Sequence, residues 1–196
     1  MKTNSEYRNV ARVALKGNWG IAAITALVFT FITGAFDTTL GVGFFLVTLP
    51  LEVGFLGAFR RLLVARDGKI VDNMFQISLK DYVHKMSTTA LRFAYIFLWS
   101  LLFIVPGIIK AYSYAMVPYI LEDRPELSAE DTIRLSTKMM DGHRWQLFCL
   151  HLSFIGWAFL CIFTFGIGYL FLKPYVLTAQ ADFYEDLKAS IPVIPE

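Results

Sequence analysis

Four long apolar stretches, separated by short polar segments, set the pattern of the chain. Residues 17–36, between Lys16 and Asp37, carry no charge, and their 20 residues match the length that crosses a ~30 Å hydrocarbon layer as a helix. The second stretch runs from Leu40 to Phe59, is interrupted by Glu52, and stops at Arg60-Arg61. The third follows Arg92 and continues to Leu121, broken by Pro106-Gly107 and Lys110. The fourth follows Arg144 and continues to Ala181, broken by Gly166-Ile167-Gly168, Lys173 and Pro174. The polar segment before residue 17 is long and no Ala-x-Ala site follows the first stretch, so it reads as a retained helix and not a cleaved signal.

The last two stretches admit two readings. Each can be one long kinked helix, giving four crossings, or a hairpin reversing at its Pro or Gly break, giving six. Pro-Gly is the pair a type II turn prefers. Charge favours six. In that reading the segments 1–18, 60–92, 122–144 and 182–196 share one side, with all but Lys110 and Lys173 of the 18 Lys and Arg. Four helices would move Arg124, Arg134, Lys138 and Arg144 to the other side. Against six, Gly107 to Leu121 is short for a spanning helix, which extension past Glu122, thinning of the bilayer or snorkelling would accommodate.

Internal similarity supports hairpins. Gly41-Val-Gly43 resembles Gly166-Ile-Gly168, and Lys110-Ala-Tyr112 and Lys173-Pro-Tyr175 each precede an acidic pair, Glu122-Asp123 and Glu185-Asp186, by the same spacing. Capping-box patterns at Thr3/Glu6, Asn73/Gln76 and Ser128/Asp131 each precede a crossing that begins near Trp19, Thr89 or Trp145. The intervening helices are amphipathic: Tyr7, Val10, Ala11 and Ala14 share a face, as do Phe75, Leu79, Tyr82, Val83 and Met86, with a weaker stripe of Ala129, Ile133 and Met140. Such helices are expected along the inner interface, with Trp19 and Trp145 at headgroup depth. The expected architecture is an all-α integral membrane protein of about six transmembrane helices. They form three hairpin repeats (about 3–66, 72–123 and 128–188) in a single polytopic domain, residues 1–196, each behind an interfacial helix; four longer kinked helices are the alternative.

Composition agrees with this picture. The chain is 56% hydrophobic, 17% charged and 16% aromatic with 18 Phe, a balance unlike that of soluble or disordered chains. A net charge of +2 leaves no nucleic-acid footprint. Cys149 and Cys161 lie inside an apolar run and make neither a disulfide framework nor a zinc pattern.

Residues 98–157, which include Pro106-Gly107, Lys110-Ala-Tyr112, Glu122-Asp123 and Gly142-His-Arg-Trp145, closely resemble a bacterial integral-membrane family known only as domain of unknown function number nine hundred and seventy-five. Ala11-Arg12, Leu15-Lys16-Gly17-Asn18-Trp19, Lys173-Pro174-Tyr175 and Phe183-Tyr184 fit it too, and Arg144 stands where the family more often has lysine. More distantly, the Pro-Gly turn, the acidic residue and the Ser-x-x-Met-x-Gly stretch resemble the membrane domain of some glycerophosphodiester phosphodiesterases, without their hydrolytic domain. The resemblance implies a multi-pass protein of the bacterial cytoplasmic membrane. Together with the charge distribution, this places both termini in the cytoplasm.

Charges inside the apolar stretches are the candidate chemistry. Glu52 lies 11 positions after Gly41, about 16 Å along a helix and close to the bilayer midplane. An ionisable group there faces the bundle interior, as a proton or cation site, a cavity floor, or a structural partner in a salt bridge. Lys173, roughly 7 Å shallower by helix rise, is its expected partner. Lys110 is expected to meet Asp37 or to snorkel outward. Glu52, Lys110 and Lys173 thus form the candidate intramembrane polar site, with Gln180 and Asp182 extending a polar track inward. Tyr112, Tyr114, Tyr119, Tyr169 and Tyr175 are cavity-lining candidates that packing explains equally well. Arg60, Arg61, His143, Arg144 and Trp145 are expected at lipid headgroups. Asp141, His143, Cys149 and His151 lack compact metal-ligand spacing, and no metal or other cofactor is expected. No nucleophile elbow, phosphate loop or dinucleotide fingerprint is present, so the chain is not read as an enzyme. Two functions remain: binding or transport of a small solute, ion or lipid, or a non-catalytic membrane scaffold. The expected partners are membrane lipids, a second copy, or another membrane protein, and not nucleic acid.

Overall fold

Thr3 and Glu6 close a reciprocal cap at the start of α1 (Asn4–Leu15), the Thr3 amide donating to Glu6 at 2.6 Å and the Glu6 amide to the Thr3 hydroxyl at 3.4 Å. The computed structural model describes residues 1–37, 44–66, 68–79, 81–102, 104–164 and 166–190, with residues 36, 37, 44, 45, 78, 102 and 104 described through their backbone alone. All regular structure among them is helical. Tyr7, Ala11, Ala14 and Leu15 bury one face of α1. Gly17, at φ +87°, then turns the chain so that α2 (Trp19–Asp37) leaves at 97° to α1.

A π-helical turn, Phe44–Thr48, leads into α3 (Leu49–Ala65). The Phe29 and Phe55 rings stack at 4.2 Å, which brings α2 and α3 into contact. The expected turn at Gly41-Val-Gly43 lies outside the described residues. Arg66, at φ 55°, ends α3, and α4 (Ile70–Leu79) folds back on it. Gly57 makes that approach possible: a Cβ there would sit 3.3 Å from the Ile77 side chain and 2.9 Å from that of Glu122.

Three local expectations between residues 72 and 123 differ. Asn73 is buried inside α4 and does not cap it, because the helix already starts at Ile70. The stripe from Phe75 to Met86 is divided between α4 and α5 (Tyr82–Leu102), because Asp81 adopts a left-handed φ of 53° between them. Nor do Pro106-Gly107 form a type II turn. The chain reverses between α5 and α6 (Ile104–Ser113), and both residues lie in the first helical turns of α6. Gly107 serves close approach instead, since a Cβ there would fall 2.8 Å from the Ser100 Cα. A turn at 114–116 separates α6 from α7 (Val117–Asp123).

Next comes α8 (Ala129–Met139), whose Ser128 cap accepts from the Asp131 amide at 3.2 Å. Then come α9 (Arg144–Leu152), α10 (Ile155–Phe163) and α11 (Ile167–Ser190), which contains Pro174. Gly166, at φ +84°, donates to the Cys161 carbonyl at 3.0 Å and reverses the chain between α10 and α11. Phe55, Phe59, Tyr119, Phe183 and Tyr7 form the centre of the core. Away from it, Phe31, Leu101, Val105, Ile162, Phe163 and Ile167 stand largely exposed near the hairpin tips.

Among the described residues, one segment, Arg144–Phe163, is long and apolar enough to cross a membrane unaided. It has 20 residues, and its 18-residue apolar window has a mean hydropathy of 1.9 and is only 17% buried. Asn4–Leu15 with Trp19–Ala35 qualifies only as a bent pair. Six full-length spanning helices are therefore more than helix length and composition establish. The breaks supply the reason: α6 has 10 residues and α7 has 7, so neither alone reaches across ~30 Å.

Candidate functional site

Arg60 sits where three helix ends meet. Its guanidinium binds Glu122 at the end of α7, donates to Asp123 at 2.7 Å, and donates to Glu185 of α11 at 2.6 Å. Lys188 adds a 2.7 Å bridge to Asp123, and the Tyr184 hydroxyl donates to Asp123 at 3.2 Å. Although burial opposes its charge, the three carboxylates hold Arg60 above its ordinary pKa. Asp123 is held below its own, since Lys188 and Arg60 outweigh the burial that would raise it. Arg60, expected at headgroups, has each guanidinium nitrogen paired with a carboxylate inside the protein. The shared spacing from Lys110 to Glu122-Asp123 and from Lys173 to Glu185-Asp186 brings acidic groups of two helices to the same level of the bundle. Arg61 stays half-exposed, 3.3 Å from Glu122.

Glu52 has a different partner from the one expected. Its carboxylate lies 3.4 Å from Arg92 of α5. Arg92 belongs to a polar stripe with Lys85, Thr88 and Thr89, at i, i+3, i+4 and i+7, and the last three are buried. Among the described residues the Thr88 and Thr89 hydroxyls and the Arg92 Nε have no hydrogen-bond partner. That period within an otherwise apolar helix was the signal available in the sequence. Lys173 lies over the faces of Phe29, at 4.2 Å, and Phe55, at 4.9 Å, and the Glu52 charge acts on it through space. Lys110 stands apart from both, 4.9 Å from the Trp99 ring and 5.9 Å from that of Tyr114. The Asp37 side chain, its other expected partner, lies outside the described residues.

Lys173 also lines a cavity of about 550 Å³ between α6, α9, α10 and α11. Its polar groups are Lys173, Gln180, His151, Tyr112 and Tyr169, set in an otherwise apolar wall. His151 Nδ1 is 3.4 Å from the Tyr112 hydroxyl and is in hydrogen-bond reach of Gln180. Among the described residues no carboxylate lies in ion-pair distance of the Lys173 amine.

Asp182 does not continue a track from Glu52. It is buried against the N-terminal segment, 2.7 Å from the Lys2 amine. Burial raises its pKa despite that partner, whereas Asp186 is lowered: burial is outweighed there by the Lys2 amide at 3.0 Å and the Tyr7 hydroxyl at 2.9 Å. His143 precedes α9, Arg144 is 3.4 Å from Asp141, and the exposed Trp145 stacks on Phe148. Among the described residues no group of three or more His, Cys, Asp or Glu side chains is arranged to hold a metal ion.

A family model described as "Protein of unknown function (DUF975)" matches residues 84–190. That span covers more than half of the chain and runs from the first turn of α5 to the end of α11. The chain belongs to this family. DUF975 assigns no activity, and no curated protein or solved structure matches the chain. The more distant likeness to glycerophosphodiester phosphodiesterase membrane domains is therefore without support from any match. The DUF975 span contains the cavity and the Lys110, Glu122 and Lys173 positions, whereas Glu52 and Arg60 precede it.

Proposed function

We propose that this DUF975 member is a polytopic protein of the bacterial cytoplasmic membrane that binds a small anionic or polar-headed solute beside Lys173. The observation that carries the reading is the cavity itself: the Lys173 side chain, an imidazole and an amide line one apolar-walled space. An ammonium removed from water and held against two aromatic faces favours an anionic ligand group. The exposed apolar hairpin tips support burial in lipid, because contiguous apolar surface of this kind is uncommon on soluble monomers. Basic residues in the segments joining the hairpins support a cytoplasmic placement of those segments and of both termini. In this arrangement the three hairpins cross as six short helices, and α1, α4 and α8 lie near the inner interface.

Isothermal titration tests the reading, using the full chain in zwitterionic nanodiscs with empty nanodiscs as the blank. Octanoate is expected to bind more tightly than octanol, and Lys173→Gln to remove about 10- to 100-fold of that preference, the worth of a charge-assisted hydrogen bond. Lys110→Gln is expected to leave it unchanged. Equal binding of the two ligands, or an unaffected Lys173→Gln variant, would contradict the assignment. A scaffold role is the second reading, favoured by the internal neutralisation of Glu52 and Arg60, which leaves neither to act on a passing ion.

A further inference from the structure

A second pair of depressions lies where α1 meets the α10–α11 hairpin. One is an apolar groove of about 360 Å³ along that hairpin, walled by Trp19, Trp157, Leu160, Phe171 and Leu172 and reaching Thr164 and Gly168 at the tip. The other is a polar depression of about 390 Å³, walled on one side by Ser5, Arg8, Asn9 and Arg12. These four fall at i, i+3, i+4 and i+7 and so share one face of α1. Arg12, Trp157 and Tyr175 line both spaces, which makes them one trough with a basic end and an apolar end.

The basic end has charge to spare. Among the described residues neither Arg8 nor Arg12 forms an ion pair, and Arg8 donates to the Ser153 carbonyl at 3.2 Å. The 97° angle between α1 and α2 matters here. If α2 crosses the bilayer, α1 lies in its plane, which puts Arg8 and Arg12 at headgroup depth and the groove among the acyl chains.

We propose that the trough holds one phospholipid with an anionic headgroup, its phosphate on Arg8 and Arg12 and one acyl chain along Trp157, Leu160 and Phe171. Guanidinium groups suit phosphate because their planar forks pair with two oxygens at once. The order of the two ends matches a lipid, in which charge and hydrocarbon are joined end to end. The proposal rests on the membrane placement and is independent of the cavity beside Lys173.

Native mass spectrometry of the full chain, released from membranes into micelles containing equal phosphatidylglycerol and phosphatidylcholine, tests it. The wild type is expected to retain one phosphatidylglycerol. R8Q/R12Q is expected to lose about 10- to 30-fold of that retention, from ~1 kcal/mol per basic residue near an anionic lipid. R8K/R12K, which restores charge, is expected to recover part of it. L160W fills the groove at a largely exposed position and is expected to reduce retention without altering charge. Inorganic phosphate is expected not to displace the lipid. Equal retention of the two lipids, full displacement by phosphate, or a lipid-free dimer with the groove covered by a second copy would each overturn the proposal. Carbonate extraction separates the two claims. Release of the wild-type chain from membranes defeats the membrane placement, whereas retention without lipid preference defeats this site alone.

Discussion

Arg60 can satisfy Glu122, Asp123 and Glu185 together because a guanidinium presents a planar set of donors, where an ammonium is a single point of charge. Removing it would leave Glu122 and its neighbours partly buried without their main counter-charge. Arg60→Gln is therefore expected to destabilise the chain by about 3–5 kcal/mol, read from denaturant unfolding in detergent. A loss below ~1 kcal/mol, typical of exposed pairs, would contradict a structural latch. The same cluster sets an acid limit. Asp123 has a lowered pKa in the folded chain, so the stability it contributes is present above the unfolded carboxylate value and is lost as pH falls through the folded one. Unfolding midpoints are expected to drop below about pH 4, and Asp123→Asn to weaken that drop. At this scale the sequence was partly legible. Glu52 and Lys173 stand out as charges in apolar stretches, but their partners depend on tertiary distance. Arg92 looks like a boundary residue until α5 is packed against α3.

Helix elements were more legible than their ends. Thr3 and Ser128 cap where a local motif predicts, because a cap is a contact between residues three apart. Asn73 carries similar chemistry but lies within α4, where packing against α3 carries the helix start back to Ile70. Pro106-Gly107 misleads for a related reason. Pro fits the first turn of a helix as well as a β-turn, and the glycine answers to Ser100 on the neighbouring helix. Two glycines separate these roles. Gly107→Ala is expected to cost about 1–3 kcal/mol through its clash with Ser100, whereas Gly20→Ala meets open space within a helix and is expected to gain about 0.5–1 kcal/mol. Thermal unfolding of the two variants side by side checks this; equal shifts would contradict close packing of α5 on α6.

At the scale of the whole molecule, apolar composition and the spacing of charges point to hairpins, and the rings of Phe29 and Phe55 and the contact of Gly107 with Ser100 are the tertiary counterparts of that pattern. The cavity beside Lys173 was not legible, because Tyr112, His151 and Gln180 come from three helices and no spacing links them. The proposed membrane arrangement puts polar segments on one face and hairpin tips on the other. Cysteine labelling with a membrane-impermeant maleimide tests it most directly, in spheroplasts carrying a chain whose Cys149 and Cys161 are replaced by Ala. Thr164→Cys, at the tip between α10 and α11, is expected to label in intact spheroplasts, and Glu126→Cys, between α7 and α8, only after permeabilisation. Labelling of both positions from the same side would contradict the account.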